Sequence, residues 1–175
     1  MIGVYCNEIA IENISFIRMK LTLITIGKTD NKQISQLIDE YFKRVNFYIP
    51  LEIKTLPDIR KGKKISEKEQ KMLEGESIKK CLQPSDYVVL LDDKGKQFDS
   101  IQFAKYIENK MITISKNLIF IIGGPYGFSE EIQNISNEKL SLSKMTLTHQ
   151  MVRLLFAEQL YRAMTIINNE PYHHE

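Results

Sequence analysis

Hydrophobic and polar positions along this chain follow two rhythms in alternation, one of period two or continuous, the other helical. Residues 21–26 (LTLITI) are apolar and β-branched and stop at Gly27, the pattern of a buried strand. Asp30 or Asn31 then stands where a helix cap belongs. Ile34, Leu37, Ile38, Tyr41, Phe42 and Val45 follow at i, i+3, i+4 spacing and give that helix one apolar face. A second short strand is predicted over 51–56, between Pro50 and Pro57. Residues 58–65 are polar and basic and form a loop. Ser66 and Glu69 match a capping box, so a helix runs from there to about Leu82 and breaks before Pro84.

The alternation continues. Residues 86–92 (DYVVLLD) read as a buried strand with polar ends, followed by a turn at 93–96. Asp99 or Ser100 starts a helix with Ile101, Phe103, Ala104 and Ile107 inward. Residues 118–122 (LIFII) are the most apolar strand and lead straight into GGPYG at 123–127. Ser129 caps a short helix holding Glu130 and Glu131, and 139–145 alternates as a strand. A long helix is predicted from about His149 to Ile167, with Val152, Leu155, Phe156, Leu160, Ala163, Met164 and Ile167 on one stripe. Arg153, Gln159 and Arg162 lie off that stripe, where a solvated face is the plain expectation.

Five strands alternating with five helices imply an α/β fold with a mostly parallel sheet and helices on both faces. No internal repeat or low-complexity segment interrupts it, so residues 19–175 read as a single domain. Residues 1–18 do not join the pattern. Glu8 and Glu12 interrupt their apolar positions and no basic stretch precedes them, unlike a signal peptide. Met19-Lys20-Leu21 has the character of a natural start leading into the first strand. The expectation is that 1–18 is an N-terminal extension without function.

Composition narrows the classes. With 175 residues, 43% hydrophobic and 26% charged, the chain can bury a core, and bulk disorder is excluded. Cys6 and Cys81 cannot make a disulfide framework and read as reduced thiols of a cytoplasmic protein. No apolar run approaches the ~20 residues of a membrane span. The net charge of +2 neither demands nor excludes nucleic acid. Its distribution says more: residues 54–80 carry nine Lys or Arg against five acids. The densest part, with Arg60, Lys61, Lys63 and Lys64, suits a phosphate backbone as well as a solvated loop.

Three segments carry candidate chemistry. The glycine cluster at 123–127 directly follows a buried strand, where open α/β sheets bind ligands. Glycine there lets a ligand approach the backbone, although a tight turn uses the same residues. The cluster is neither G-x-G-x-x-G nor a Walker motif, so a nucleotide-phosphate site gains no support. Residues 142–147 (LSKMTL) offer main-chain donors and small hydroxyls suited to an adenine edge, or an ordinary connection. His149 opens the last helix, four residues before Arg153, so the two share a side. The positive end of the helix dipole favours a neutral imidazole there. Such a group serves as a base, a nucleotide partner or a cap. In the tail, His173 and His174 are adjacent and point apart when extended, and no further ligand cluster exists, so a metal is not expected.

In order and spacing, five stretches resemble one family. They are residues 90–96 (LLDDKGK), 120–127 (FIIGGPYG), 140–153 (LSLSKMTLTHQMVR), 158–163 (EQLYRA) and 171–175 (PYHHE). They are similar to the ribosomal large-subunit methyltransferase H family, the pseudouridine N3-methyltransferases of the trefoil-knotted SPOUT class. The resemblance covers Met19 to Glu175.

It implies a C-terminal trefoil knot, which the rarity of knots would otherwise argue against. It implies S-adenosylmethionine as cofactor, held by Leu91, Gly123, Gly124, Leu142, Ser143, Lys144, Met145, Thr146 and Leu147. It implies catalytic roles for His149, Arg153, Tyr161, Tyr172 and His173, the last two donated by the partner of a homodimer. The substrate it implies is N3 of a pseudouridine in the helix 69 loop of 23S rRNA within the assembled 70S ribosome, with no metal and no membrane. The family often has a basic residue after the tail histidine. His174 stands there instead and supplies a positive charge only when protonated. Three rivals remain: a knotted methyltransferase acting on tRNA or another rRNA base, a catalytically idle ribosome-binding factor, and a flavodoxin-like binding module. The late position of the glycine cluster disfavours the last.

Overall fold

The strand and helix order follows the hydrophobic rhythm throughout: β1 (Lys20–Ile26), α1 (Lys32–Val45), β2 (Leu51–Leu56), α2 (Glu67–Lys79), β3 (Tyr87–Gln97), α3 (Ser100–Thr113), β4 (Asn117–Ile122), α4 (Glu130–Ile135), β5 (Glu138–Ser141) and α5 (His149–Ile167). The computed structural model describes residues 19–59 and 65–173. The expectations for residues 1–18, for the basic loop at 60–64 and for His174 fall outside them. Among the described residues no helix is long and apolar enough to cross a membrane.

Side-chain oxygens fix the helix starts. Asn31, Ser66, Asp99, Ser129 and Thr148 each accept from a backbone N–H in the first turn, and Asp99 forms a reciprocal box with Gln102. Each such cap is worth about 1 kcal/mol. Thr148 rather than His149 caps α5, which leaves the imidazole free of that task.

The strands form one parallel sheet in the order β2-β1-β4-β3-β5. β4 lies at its centre, and residues 118–122 are all buried. Period-two alternation sends Leu118, Phe120 and Ile122 to one face and Ile119 and Ile121 to the other. On the first face pack α1, α3 and α5, through Phe42, Phe103, Phe156 and Leu160. On the second pack α2 and α4, through Ile78 and Ile132. The α/β class with helices on both faces is the observed architecture.

Three sequence readings need correction. β3 does not end at 92; it continues to Gln97 through an excursion at 92–95, with Leu140 of β5 paired to both Leu91 and Lys96. The backbone of β5 crosses so close to Gly95 that an added Cβ would lie 2.5 Å from Leu140 N, so only glycine fits. β5 stops at Ser141 instead of 145, because Ser143 bends the chain: its carbonyl accepts from Ser141 Oγ and its hydroxyl accepts from Met145 N. Arg153 is not on a solvated face; it is 4% exposed.

A polar cluster ties β5 to β3 and α3. Glu138 accepts from Tyr87 at 2.5 Å, from Tyr106 at 2.7 Å and from Lys110 at 2.6 Å. Partial burial pushes the Glu138 carboxyl up, but the bonds from Lys110, Tyr87 and Tyr106 outweigh it and hold it below the usual carboxylate range. A depressed carboxyl stabilises fully above its unfolded value, about 4.3, and that contribution disappears as pH falls through the folded value. Glu138→Gln should therefore lower the thermal midpoint at pH 7 by roughly 2–4 °C, the shift about 1 kcal/mol produces in a chain this size. It should also remove part of the loss seen below pH 4.3. Thermal melts of both forms across pH 3–7 check this; parallel curves would detach Glu138 from acid stability.

Candidate active site

The connections leaving β3 and β4 run to opposite faces of the sheet, β3 into α3 and β4 into α4. Such a reversal opens a crevice beyond the carboxyl ends of the strands. Here it is a cavity of about 770 Å³, within the size range of small-molecule and cofactor sites. Three segments wall it. The bend within β3 brings Leu91, Asp92, Asp93 and Lys94; after β4 come Gly123 to Phe128; after β5 come Leu142, Ser143, Met145, Thr146 and Leu147. The first turn of α5 closes one side with His149, Gln150 and Val152.

The sequence-derived cofactor residues thus converge on one place. Leu91, Gly123, Gly124, Leu142, Ser143, Met145, Thr146 and Leu147 all line the cavity, whereas Lys144 is exposed and outside the lining. Residues 124–127 form a turn closed by Gly127 N donating to Gly124 O, with Pro125 in its second position. The lining also contains Lys71, Asp92, Asp93, Lys94, Gln133 and Lys139, which the sequence reading did not select. Asp92 and Asp93 had a signal, an acidic pair at a buried strand's carboxyl end. Lys71 and Gln133 had none, since they come from helices that pack beside the cavity only after folding.

The catalytic candidates divide. His149 is at the cavity and exposed. Arg153, one turn on, points elsewhere: NH2 donates to Ile26 O at 2.6 Å and NH1 to Thr29 Oγ1 at 2.9 Å. Burial lowers its pKa against the pull of Asp30. It clasps α5 to the loop after β1, and Gln150 Oε1 adds a second clasp by accepting from Asn31 N. Tyr161 lies twelve residues after His149, about 18 Å along the helix. There Tyr172 packs edge-on against Tyr161 with ring centroids 4.8 Å apart, and the Arg162 guanidinium lies 4.8 Å from the Tyr172 ring. His173 Nδ1 is 3.4 Å from Arg162 NH1. Burial, then the Tyr41 hydrogen bond, pushes the Tyr172 phenol up to about 12, so it stays a donor at neutral pH. Tyr161, Tyr172 and His173 form a second cluster that does not line the cavity of their own chain.

A family profile described as "Predicted SPOUT methyltransferase" matches residues 19–173. The ribosomal RNA large subunit methyltransferase H of Parabacteroides distasonis is 59% identical over 157 residues, 90% of this chain and 100% of that relative. The chain belongs to the ribosomal RNA large subunit methyltransferase H family of SPOUT methyltransferases. The methyltransferase H of Christiangramia forsetii is 55% identical over 89% of this chain and 99% of its own length. The solved structure of a probable methyltransferase from Bordetella pertussis Tohama I shares the fold, with a TM-score of 0.51 at 12% identity over 89% of this chain and 99% of that one. In this methyltransferase H chain the cavity and the tail cluster occupy separate ends of α5.

Proposed function

We propose that this protein transfers the methyl group of S-adenosylmethionine to N3 of a pseudouridine in the helix 69 loop of 23S rRNA, in the assembled 70S ribosome. One observation carries the reading. A chain that matches a ribosomal RNA large subunit methyltransferase H over the whole length of that relative gathers eight of the nine residues expected to hold the cofactor around one cavity.

The cavity fits the cofactor chemically. Leu91, Ile122, Leu140, Leu142 and Leu147 supply apolar walls for an adenosine, and the loops of residues 123–127 and 142–147 supply peptide groups for its edges. Asp92 and Asp93 suit a cationic ligand, and Lys71 and Lys139 suit its carboxylate. When bound, S-adenosylmethionine supplies a methyl group already activated by the sulfonium charge. What remains for the protein is to place N3 in line and to remove its imide proton. His149 at the rim is the group to orient the base and accept that proton.

The tail cluster belongs to this reading through a second copy of the chain. Tyr161 is about 18 Å along α5 from His149 in its own chain, and Tyr172 packs on it while His173 meets Arg162, so a homodimer that lays this end of α5 over the partner's cavity would complete the site. Phe47, 85% exposed beside Tyr48, extends the same aromatic surface and suits such an interface. A C-terminal trefoil knot, implied by the family resemblance, is part of the proposal.

The test is to incubate purified protein with labelled S-adenosylmethionine and 70S ribosomes lacking the modification. Label in 23S rRNA is expected. Cofactor binding without transfer to any RNA would leave an idle ribosome-binding factor.

A further inference from the structure

α2 is a poor amphipathic helix by composition, and most of the face it buries is not apolar. Its buried residues are Gln70, Glu74, Gly75 and Ile78. Glu74 is 3% exposed and Gln70 2%. Gln70 Nε2 donates to Glu74 Oε1 at 2.6 Å.

The Glu74 carboxylate lies against Gly124, the residue that starts the turn lining the cofactor cavity. A Cβ built on Gly124 would stand 2.8 Å from Glu74 Oε1, 2.9 Å from Cδ and closer still to Oε2. The next residue, Gly75, meets the other end of the same segment: a Cβ there would lie 3.2 Å from the Cβ of Ser129, the cap of α4. Two consecutive residues of α2 thus grip both ends of residues 124–129. Glu74 itself does not line the cavity.

We infer that Glu74 is a positioning residue for the cofactor loop: its buried carboxylate, packed on the Gly124 backbone, sets the path of residues 123–127 and so the affinity for S-adenosylmethionine. This rests on the reading of the cavity as the cofactor site. Gly124 must then lack a side chain because of Glu74 behind it as well as any ligand in front.

A double-variant cycle tests the coupling. S-adenosylmethionine binding to the full-length protein is titrated by calorimetry for the wild type, Glu74→Ala, Gly124→Ala and the double variant. Glu74→Ala should weaken binding about tenfold and Gly124→Ala by at least thirtyfold. The double variant should bind no worse than Gly124→Ala alone, because removing the carboxylate makes room for the new methyl group. Glu74→Gln, which keeps the shape but not the charge, should bind more weakly than the wild type and better than Glu74→Ala, and it covers the case in which Glu74→Ala does not fold. In steady state the Glu74 variants should raise KM for S-adenosylmethionine while kcat at saturation stays within twofold. Multiplicative losses in the double variant, or wild-type affinity in Glu74→Ala and Glu74→Gln, would overturn the inference. Failure of the wild type itself to bind the cofactor would instead sink the reading of the cavity.

Discussion

His149→Ala should bind S-adenosylmethionine as the wild type does and lose about 100-fold to 10,000-fold in ribosome methylation, the range for a positioned general base. The expectation follows from where the residue stands. His149 is the first residue of α5, at the rim of the cavity, while the cap of that helix is Thr148. Removing the imidazole therefore leaves the helix start and the three walls formed by β3 and the loops after β4 and β5 in place. The pseudouridine N3 proton must leave as the new N–C bond forms, and without a positioned acceptor that proton goes to water. Single-turnover methylation with saturating cofactor isolates the step. Full activity would remove His149 from the chemistry, and loss of cofactor binding would make it a structural residue instead.

The second large effect is a recovery from two inactive proteins. A form lacking residues 172–175 and the His149→Ala form should each be inactive alone. Co-expressed and purified together, they should regain about a quarter of wild-type activity. In the homodimer proposed above, random pairing of subunits would make half the dimers mixed. Each mixed dimer holds one site with an intact His149 from one chain and an intact tail from the other. The separation of His149 from Tyr161 and Tyr172 along α5 drives this expectation, since a tail folded on its own Tyr161 does not line its own cavity. No recovery in the mixed preparation would place the tail's role within one chain, or outside catalysis.

Much of the fold was legible because burial and sequence pattern agree. The runs at 21–26 and 118–122 are strands buried on both faces, and each is apolar almost without interruption. Asn31, Ser66, Asp99 and Ser129 advertise helix starts through local chemistry that needs no tertiary context. What failed were features made by long-range contact. β3 runs on to Gln97 because β5 pairs with both limbs of its excursion, and nothing within 92–97 announces partners as far off as Leu140 and Ser141. Residues 142–145 continue an alternating pattern, but Ser143 bends the backbone and ends the strand.

The site divides in the same way. The loops at 123–127 and 142–147 were readable because they follow strands directly, and strand ends are where the fold puts ligands. Arg153 looked solvated because an arginine off an apolar stripe ordinarily is; its burial depends on Ile26 and Thr29, far off in sequence. Glu74 was invisible for the same reason. In a helix as charged as α2, a glutamate at any position reads as surface, and its contact with Gly124 exists only in the fold.

The central claim is methyl transfer to one base of one RNA. The measurement that meets it most directly is mass mapping of 23S rRNA after reaction of the purified protein with S-adenosylmethionine and 70S ribosomes lacking the modification. The account predicts a single added methyl group, on N3 of a pseudouridine in the helix 69 loop, and none when His149→Ala replaces the wild type. A methyl group on another base, or 23S rRNA left unmethylated by protein that binds the cofactor, would contradict it.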